Sequence, residues 1–523
     1  MAAKVHITAF LVYLQHRKPY MGVVIRQSIK GTIANYVGIA IGFITTFFIL
    51  THYLTQEEIG LTRVLVDASV LLAGLAQLGT NSSMLRFFPY FKDKNTKDHG
   101  IFFWSLIVPF IGFLIYLILF LAFKDMVIKQ FADNSPLFVN YFYFIIPLSF
   151  SMLYLSVFET NANILMRISV PKMIREVGIR LGLLVSYILF GLKIIDLDAL
   201  VIAYCIIYFL AAVINVIYVC SFGKVSFKPD FKFITPEIKR SFAFYTLFLI
   251  LSALMGNITP LLNSFFVSAK MGLQYTGIFA IATYIATIID IPSRSLSTIV
   301  QPQLSQAIKD NDIKAANVLL KKVSLHQLLA GILIFICLWI NLDLIFNILP
   351  NGETYMSGKT VVCILSISRL LYSTFQIGYS VVGYSKYYYV SLFFAIILTT
   401  TAIILNNMLI PLWGMNGAAC ATLFSYAIYY GVILTVTWVK LKTSIFSINQ
   451  LKVVFIAILL LAFNYLISRF VSSQFNISSL FLQIVEGIVR TFVVVAIGCT
   501  LIYKLKISEE VNHIADKILR IKK

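Results

Sequence analysis

Arg63 and Asp67 lie inside an apolar stretch, residues 57–77, that is long enough to cross a bilayer. Because they are four residues apart, they share one face of a helix. A charge in hydrocarbon costs about 2.5–3.5 kcal/mol on insertion scales, so this face should turn away from lipid. Arg63 either reaches back to the outer membrane interface with Asp67 as its partner, or faces a cavity and grips phosphate or carboxylate through two hydrogen bonds. In the cavity interpretation, Asp67 is a counter-ion or a site for a coupling ion.

A second charged pair, Asp290 and Arg294, is also four residues apart and lies at the end of the apolar segment 275–293. It is either an ordinary ion pair at a helix end or a site that receives phosphate at the inner mouth of a cavity. Arg369 lies near the middle of the segment 360–383, which contains no acidic residue. Because a charge persists there only in a wet or paired setting, we predict that Arg369 faces a substrate cavity.

The composition indicates which kind of structure must position these charges. The chain has 523 residues, of which 59% are hydrophobic and 12% charged, and its mean hydropathy is +0.89. Since soluble domains are about 25% charged, this is a polytopic, all-helical membrane protein. The net charge of +20 fits a basic cytoplasmic side and does not require nucleic acid as a partner. The six cysteines lie in or beside apolar segments without the spacing of a metal site, so we predict neither metal nor cofactor.

Fourteen apolar segments have the length of a membrane span. They are residues 32–54, 59–79, 101–123, 137–160, 177–195, 197–221, 241–267, 275–293, 323–349, 360–383, 387–409, 414–437, 451–471 and 483–503. Lys and Arg are concentrated in alternate connections, including the two terminal segments. Both termini are therefore predicted to be cytoplasmic.

The longest basic connection near the middle follows six spans, and six more spans follow it. Because each group has an even number of spans, the two would form a parallel repeat about an axis along the membrane normal and enclose a central cleft. Met21, before a basic segment, is expected to be the natural start. The predicted organisation is an extension at 1–20, an N-lobe at 21–221, a cytoplasmic linker at 222–240, a C-lobe at 241–440, and two further helices with a basic tail at 441–523.

Three short strings are familiar: IRQSIKGTIANY at 25–36, EIGLTRVL at 58–65 and IPSRSL at 291–296. Together with the span count and the two lobes, they resemble the bacterial polysaccharide flippases, the Wzx-like members of the multidrug/oligosaccharidyl-lipid/polysaccharide exporter superfamily. The resemblance covers roughly residues 21–504. It implies translocation of an undecaprenyl-diphosphate-linked oligosaccharide from the cytoplasmic to the periplasmic leaflet of the inner membrane by alternating access between the lobes.

The resemblance also implies that arginines in the cavity meet the diphosphate and acidic sugars. Arg63 and Arg294 lie within the matching strings, and Arg369 is added on its own energetic argument. Asp67 and Asp290 are the candidate counter-ions or coupling-ion sites. The expected partners are the lipid-linked oligosaccharide, membrane lipid and a polysaccharide polymerase.

Two other functions remain open. A cation-coupled multidrug exporter of the same fold would need an acidic cleft, whereas the charges inside the spans lean towards arginine. A membrane polysaccharide polymerase or glycosyltransferase would need a large catalytic loop on the outside, and the loops here are short. The sequence contains no Gly-rich phosphate loop, no His-Glu metal pair on one helix and no Asp-x-Asp motif, so we predict a protein that is not an enzyme.

Overall fold

The structure is a computed structural model that describes residues 30–31, 33–81, 83–84, 88, 100–165, 167–222, 261–474 and 479–518. These residues form helices and turns, and no strand occurs among them. The chain divides into two units, Met1–Leu261 and Leu262–Lys523. The predicted start at Met21, the extension at 1–20 and nearly all of the linker at 222–240 lie outside the described residues.

The first unit contains six long helices in the described part of the chain. They are α1 (Ile33–Tyr53), α2 (Gln56–Ala76), α3 (Ile101–Ala132), α4 (Pro136–Ile164), α5 (169–191) and α6 (Leu197–Cys220). The core of this unit lies between α2, α3 and α4 and includes Phe113, Leu148 and Leu153. Gly112 allows α3 to cross closely over the end of α2, since a Cβ there would lie 2.0 Å from the Ala76 carbonyl oxygen.

Helix α2, which carries Arg63 and Asp67, has a sharply defined start. The Glu58 backbone N–H donates to the Thr55 hydroxyl over 3.3 Å, and the Thr55 N–H donates to the Glu58 carboxylate over 2.8 Å. This reciprocal capping box satisfies two backbone donors that the first turn leaves without a helical partner. It fixes Arg63 about two turns into the helix.

The second unit contains ten helices of at least ten residues within the part of the chain that the structure describes. They are α7 (261–271), α8 (Leu273–Thr287), α9 (Ile291–Lys309), α10 (Ile313–Ile340), α11 (Lys359–Tyr384), α12 (390–413), α13 (415–441), α14 (Ile448–Gln474), α15 (Leu480–Lys504) and α16 (Glu509–Ile518). Helix α11 packs against α8, α9, α10, α12 and α13, so it forms the middle of this unit. Helices α10, α14 and α15 share a separate apolar core.

Two breaks divide the helices of the second unit. The 3₁₀ turn Ile288–Asp290 joins α8 to α9, and Pro292 in the first turn of α9 lacks the N–H that a helix interior would need. Gly414 separates α12 from α13 with φ +56° and ψ −133°, a conformation that favours glycine. The second break lies beside the connection that the sequence predicts at 410–413.

The predicted all-helical membrane fold is confirmed. Eleven helices in the described part of the chain are long and apolar enough to cross a membrane, by length and composition. The pair α12 and α13 counts as one of these because the helical trace runs through Gly414. The count of fourteen stays a prediction, and most of the predicted span 241–267 lies outside the described residues.

Helix α9 differs from the sequence prediction, which treats residues 294–322 as a connection. Its sequence, IPSRSLSTIVQPQLSQAIK, is rich in Ser and Gln, so a search for apolar segments passes over it. Val300 and Leu304 are buried in a core shared with α10 and α11, and this packing holds α9 in place.

Candidate functional site

Arg63 and Asp67 form an ion pair along one face of α2. The Nε atom of Arg63 donates to Oδ2 of Asp67 over 2.8 Å. The Asp67 side chain is only 5% exposed, whereas that of Arg63 is 23% exposed. The carboxylate is thus shielded within the first unit and neutralised by the arginine one turn before it, while part of the guanidinium stays accessible.

Arg369 also has an acidic partner, but from a different element. Its Nη1 atom donates to Oδ2 of Asp290 over 3.2 Å. Asp290 closes the 3₁₀ turn between α8 and α9, whereas Arg369 lies in the middle of α11. The exposed fractions, 5% for the Asp290 side chain and 21% for Arg369, resemble those of the first pair. This pair therefore ties α11 to the turn that joins two other helices.

The sequence pairs Asp290 with Arg294, and the structure adds a contact between Asp290 and Arg369. The backbone of Arg294 lies in the first turns of α9. Its side chain lies outside the described residues, so its predicted role in binding substrate stays a prediction.

The first unit also contains a cavity of about 690 Å³ that the sequence analysis did not identify. Helices α2, α4, α5 and α6 line it, and its polar lining includes Gln77, Ser156 and Tyr208. Four charged side chains complete the polar lining: Glu159, Arg175, Glu176 and Arg180.

The four charges form two ion pairs. Arg175 Nη1 lies 2.8 Å from Glu159 Oε2, which joins α5 to α4, and Arg180 Nη2 lies 2.9 Å from Glu176 Oε2 within α5. Arg180 Nη1 also donates to the Gly38 carbonyl oxygen over 2.7 Å, which joins α5 to α1. This wall of the cavity is therefore built from arginines that hold neighbouring helices together.

A sequence signal for this arrangement does exist. Gly38 and Gly42 are four residues apart on α1, as Glu176 and Arg180 are on α5. A Cβ at Gly42 would lie 2.3 Å from Arg180 Nη1, and one at Gly38 would lie 2.5 Å from the Glu176 carbonyl oxygen. Gly42 thus makes room for the Arg180 guanidinium, and Gly38 lets the α5 backbone at Glu176 approach α1. A small-residue face opposite a Glu-Arg face predicts such a close approach.

A fifth pair lies on α15. Arg490 Nη1 is 2.9 Å from Glu486 Oε1, and Arg490 Nη2 donates to the Ile340 carbonyl oxygen over 2.6 Å. Ile340 is the last residue of α10, so this arginine satisfies a carbonyl that the helix end leaves without a helical donor. The geometry is that of a contact that packs α15 against α10.

Five carboxylates on these helices and their connecting turn therefore each lie next to an arginine. They belong to Asp67, Glu159, Glu176, Asp290 and Glu486. A cation that enters must compete with a guanidinium for each carboxylate. An anion can instead replace the carboxylate on the arginine, because phosphate offers the same two-point geometry.

The fold resembles that of solved transporters. A structure described as lipid II flippase MurJ in an inward closed conformation superposes with a TM-score of 0.73 at 15% identity and covers 92% of this chain and 100% of its own. An inward-facing multidrug resistance MATE family transporter of the MOP superfamily has a TM-score of 0.56 at 14% identity, with 76% and 92% covered. A MOP superfamily transporter from Pyrococcus furiosus, whose description reports a reverse polarity of the binding pocket, has a TM-score of 0.52 at 13% identity, with 79% and 93% covered.

These likenesses define the class as a multi-pass membrane protein with the fold of the exporter superfamily. The family described as polysaccharide biosynthesis protein matches residues 24–308, which is more than half of the sequence. The chain belongs to this family, and the predicted resemblance is confirmed. No match was found among curated protein sequences.

Proposed function

We propose that the protein is a flippase for undecaprenyl-diphosphate-linked oligosaccharides. It moves these lipids from the cytoplasmic to the periplasmic leaflet of the bacterial inner membrane by alternating access of two lobes, with both termini in the cytoplasm. Membership of the polysaccharide biosynthesis protein family and the likeness of the fold to a lipid II flippase support this proposal. A polysaccharide polymerase would use the lipid-linked product.

The observation that carries the proposal is the pairing of arginine with buried carboxylate at Arg63–Asp67 and Arg369–Asp290. In each pair the carboxylate takes the place of the diphosphate and neutralises the guanidinium when no substrate is bound. The diphosphate takes over one or both hydrogen bonds as it arrives and releases them as it leaves. Arg294 contributes a further positive charge beside Asp290 in the sequence. Because each arginine has a resident partner, its charge is never left alone in the membrane.

The competing function is a cation-coupled multidrug exporter. The likeness of the fold to a MATE family transporter is the observation that favours it. Such a protein would use Asp67 or Asp290 to bind a cation. The resident arginines oppose this use, because a lipophilic cation would have to displace a guanidinium held at 2.8 Å from Asp67 or 3.2 Å from Asp290.

A transport assay on the purified protein in liposomes separates the two functions. The probe is a fluorescent undecaprenyl-diphosphate disaccharide whose outward movement is read by quenching with an impermeant reductant. We expect Arg63→Ala and Arg369→Ala to slow flipping at least about tenfold, equivalent to about 1.4 kcal/mol, and the Lys variants to lose less because charge remains without the two-point grip. Lys452→Gln, an exposed substitution on α14, is the matched control and should flip at the wild-type rate.

Thermal unfolding of each variant in detergent shows whether a loss of flipping reflects a loss of folded protein. If the folded Arg369→Ala variant flips the lipid at the wild-type rate, Arg369 takes no part in the mechanism. Uptake of a lipophilic cation by the wild-type protein, with no movement of the lipid probe, would establish the exporter function in place of the flippase.

A further inference from the structure

One face of α11 combines charge, aromatic rings and open space. Arg369, Tyr372, Gln376, Tyr379 and Gly383 follow one another at intervals of three and four residues, so they lie along a single stripe of the helix. We call these five residues the α11 tyrosine face. From Arg369 to Tyr379 the stripe runs about 15 Å at about 1.5 Å per residue, a length that suits a short oligosaccharide.

This stripe opens towards its C-terminal end. Leu365, one turn before Arg369, is buried, whereas the Tyr379 side chain is 40% exposed. A Cβ added at Gly383 would meet no atom within 4 Å. The opposite side of the same helix is closed, because Val381 is buried and a Cβ at Gly378 would lie 2.6 Å from Ile445. The open space therefore belongs to the α11 tyrosine face itself.

The chemistry of the stripe is not that of a surface in contact with lipid. Helix α15 provides the contrast, since its exposed side chains include Phe481, Ile488 and Phe492. The α11 tyrosine face instead presents a guanidinium, an amide and two phenols. Exposing these groups to hydrocarbon is costly, so such a face turns towards water or a polar ligand.

The ring at the head of the stripe rests on other aromatic residues. The ring centroids of Tyr372 and Tyr426 are 6.0 Å apart, and those of Tyr426 and Tyr430 are 6.1 Å apart. Tyr426 and Tyr430 are buried in the core shared by α11, α12 and α13. A tyrosine supported in this way loses little conformational freedom on binding, which favours contact with a ligand.

We propose that the α11 tyrosine face binds the sugar part of the lipid-linked oligosaccharide, with the diphosphate at Arg369 and the sugars extending towards Tyr379. The inference rests on the proposed flippase function and assigns a specificity site to it. A sugar ring has an apolar C–H face and a rim of hydroxyl groups. A tyrosine matches both, through its ring and its OH, and Gln376 adds an amide that can donate and accept hydrogen bonds.

The test compares two probes on the purified full-length protein in lipid nanodiscs: undecaprenyl diphosphate alone, and the same lipid carrying the oligosaccharide made by the host cell. We expect Tyr379→Ala to weaken binding of the sugar-bearing probe about fivefold, the factor that about 1 kcal/mol produces. Binding of the bare diphosphate lipid should stay within about twofold of wild type. Arg369→Gln should weaken binding of both probes.

Two further variants guard against trivial results. Gly383→Leu places its Cβ where no atom lies within 4 Å, so we expect it to fold and to weaken only the sugar-bearing probe by blocking the stripe, with thermal unfolding as the check on folding. Tyr465→Ala removes a tyrosine that is 64% exposed on α14, away from the stripe, and should leave both affinities unchanged.

The outcomes separate this inference from the function on which it rests. If the wild-type protein binds neither probe, the flippase proposal fails and takes the sugar site with it. If the wild-type protein binds both probes but Tyr379→Ala and Gly383→Leu leave the sugar-bearing probe unaffected, or weaken both probes equally, the sugar site alone is overturned. Selective loss of the sugar-bearing probe in both variants supports the sugar site.

Discussion

The two buried arginine–aspartate pairs have nearly the same chemistry and opposite connectivity. In each pair the aspartate side chain is 5% exposed, and the arginine side chain is about one-fifth exposed. Arg63 and Asp67 are one turn apart in α2, whereas Arg369 and Asp290 are 79 residues apart and connect α11 to a turn between two other helices.

This difference bears on how each pair responds to a change of shape. A pair within one helix moves as a unit with that helix, so it can survive any rearrangement that keeps α2 intact. A pair between elements persists only while those elements keep their spacing. We therefore expect the Arg369–Asp290 pair to be the more sensitive of the two to a change in helix packing.

Removal of Arg369 should have the largest effect on stability. In Arg369→Ala the buried carboxylate of Asp290 loses the Arg369 guanidinium, and breaking a buried pair in this way costs about 3–5 kcal/mol. The measurement is the free energy of unfolding by denaturant in detergent micelles. The double variant Arg369→Ala with Asp290→Asn should recover most of the loss, because the second change removes the buried charge. If the stability of the single variant is unchanged, other groups around Asp290 are sufficient to stabilise its buried carboxylate.

The same contrast explains what the sequence could and could not predict. The spacing of Arg63 and Asp67 predicts that they share a helix face, because helical geometry is local. Nothing in the spacing predicts that Arg369 meets Asp290, since that contact depends on how α11 packs against the turn. The sequence pairs Asp290 with Arg294 for the same reason, because a local partner is the only kind that spacing can suggest.

The fold shows the same pattern. The apolar segments predict α3, α6 and α10, because a membrane span can be recognised in a sequence from its length and its high mean hydropathy. Helix α9 was missed because tertiary packing, and not hydropathy, determines it. Hydropathy does not predict the cavity beside Arg175 and Arg180, because only the approach of α1 and α4 to α5 brings these residues together with their partners.

Neutral replacements should separate the two pairs more finely. Arg63→Gln with Asp67→Asn keeps α2 helical through its backbone bonds, so amide hydrogen exchange in α2 should not change. Arg369→Gln with Asp290→Asn weakens the tie to the turn Ile288–Asp290. Exchange there should rise about fivefold, as expected when opening becomes about 1 kcal/mol easier. Equal exchange in the two double variants would show that connectivity does not matter.

An exposed ion pair extends this comparison to the surface of the protein. Lys322 on α10 contacts Glu510 on α16, so this pair also joins elements distant in sequence, but its side chains are 45% and 42% exposed. The Lys322 ammonium donates a hydrogen bond to the Glu510 carboxylate, and this bond holds the pKa of Glu510 below its ordinary value. His326 Nε2 lies 3.6 Å from the other carboxylate oxygen, and the Ser508 hydroxyl donates to that oxygen over 3.1 Å.

The smallest effect is therefore expected at Lys322→Ala, about 0–1 kcal/mol, because exposed pairs are screened by water even when they bridge distant elements. A depressed folded-state pKa means that the contribution of Glu510 is fully present above its unfolded value of about 4.3 and is lost as pH falls through the lower folded value. The protection factor of the α16 amides, which corrects for the intrinsic pH dependence of exchange, should fall as pH drops from neutral to about pH 3 in the wild-type protein. It should fall less in Lys322→Ala, where Glu510 has lost the hydrogen bond that lowers its pKa. A loss at Lys322 as large as that at Arg369 would show that distance along the chain, and not burial, determines what these pairs contribute.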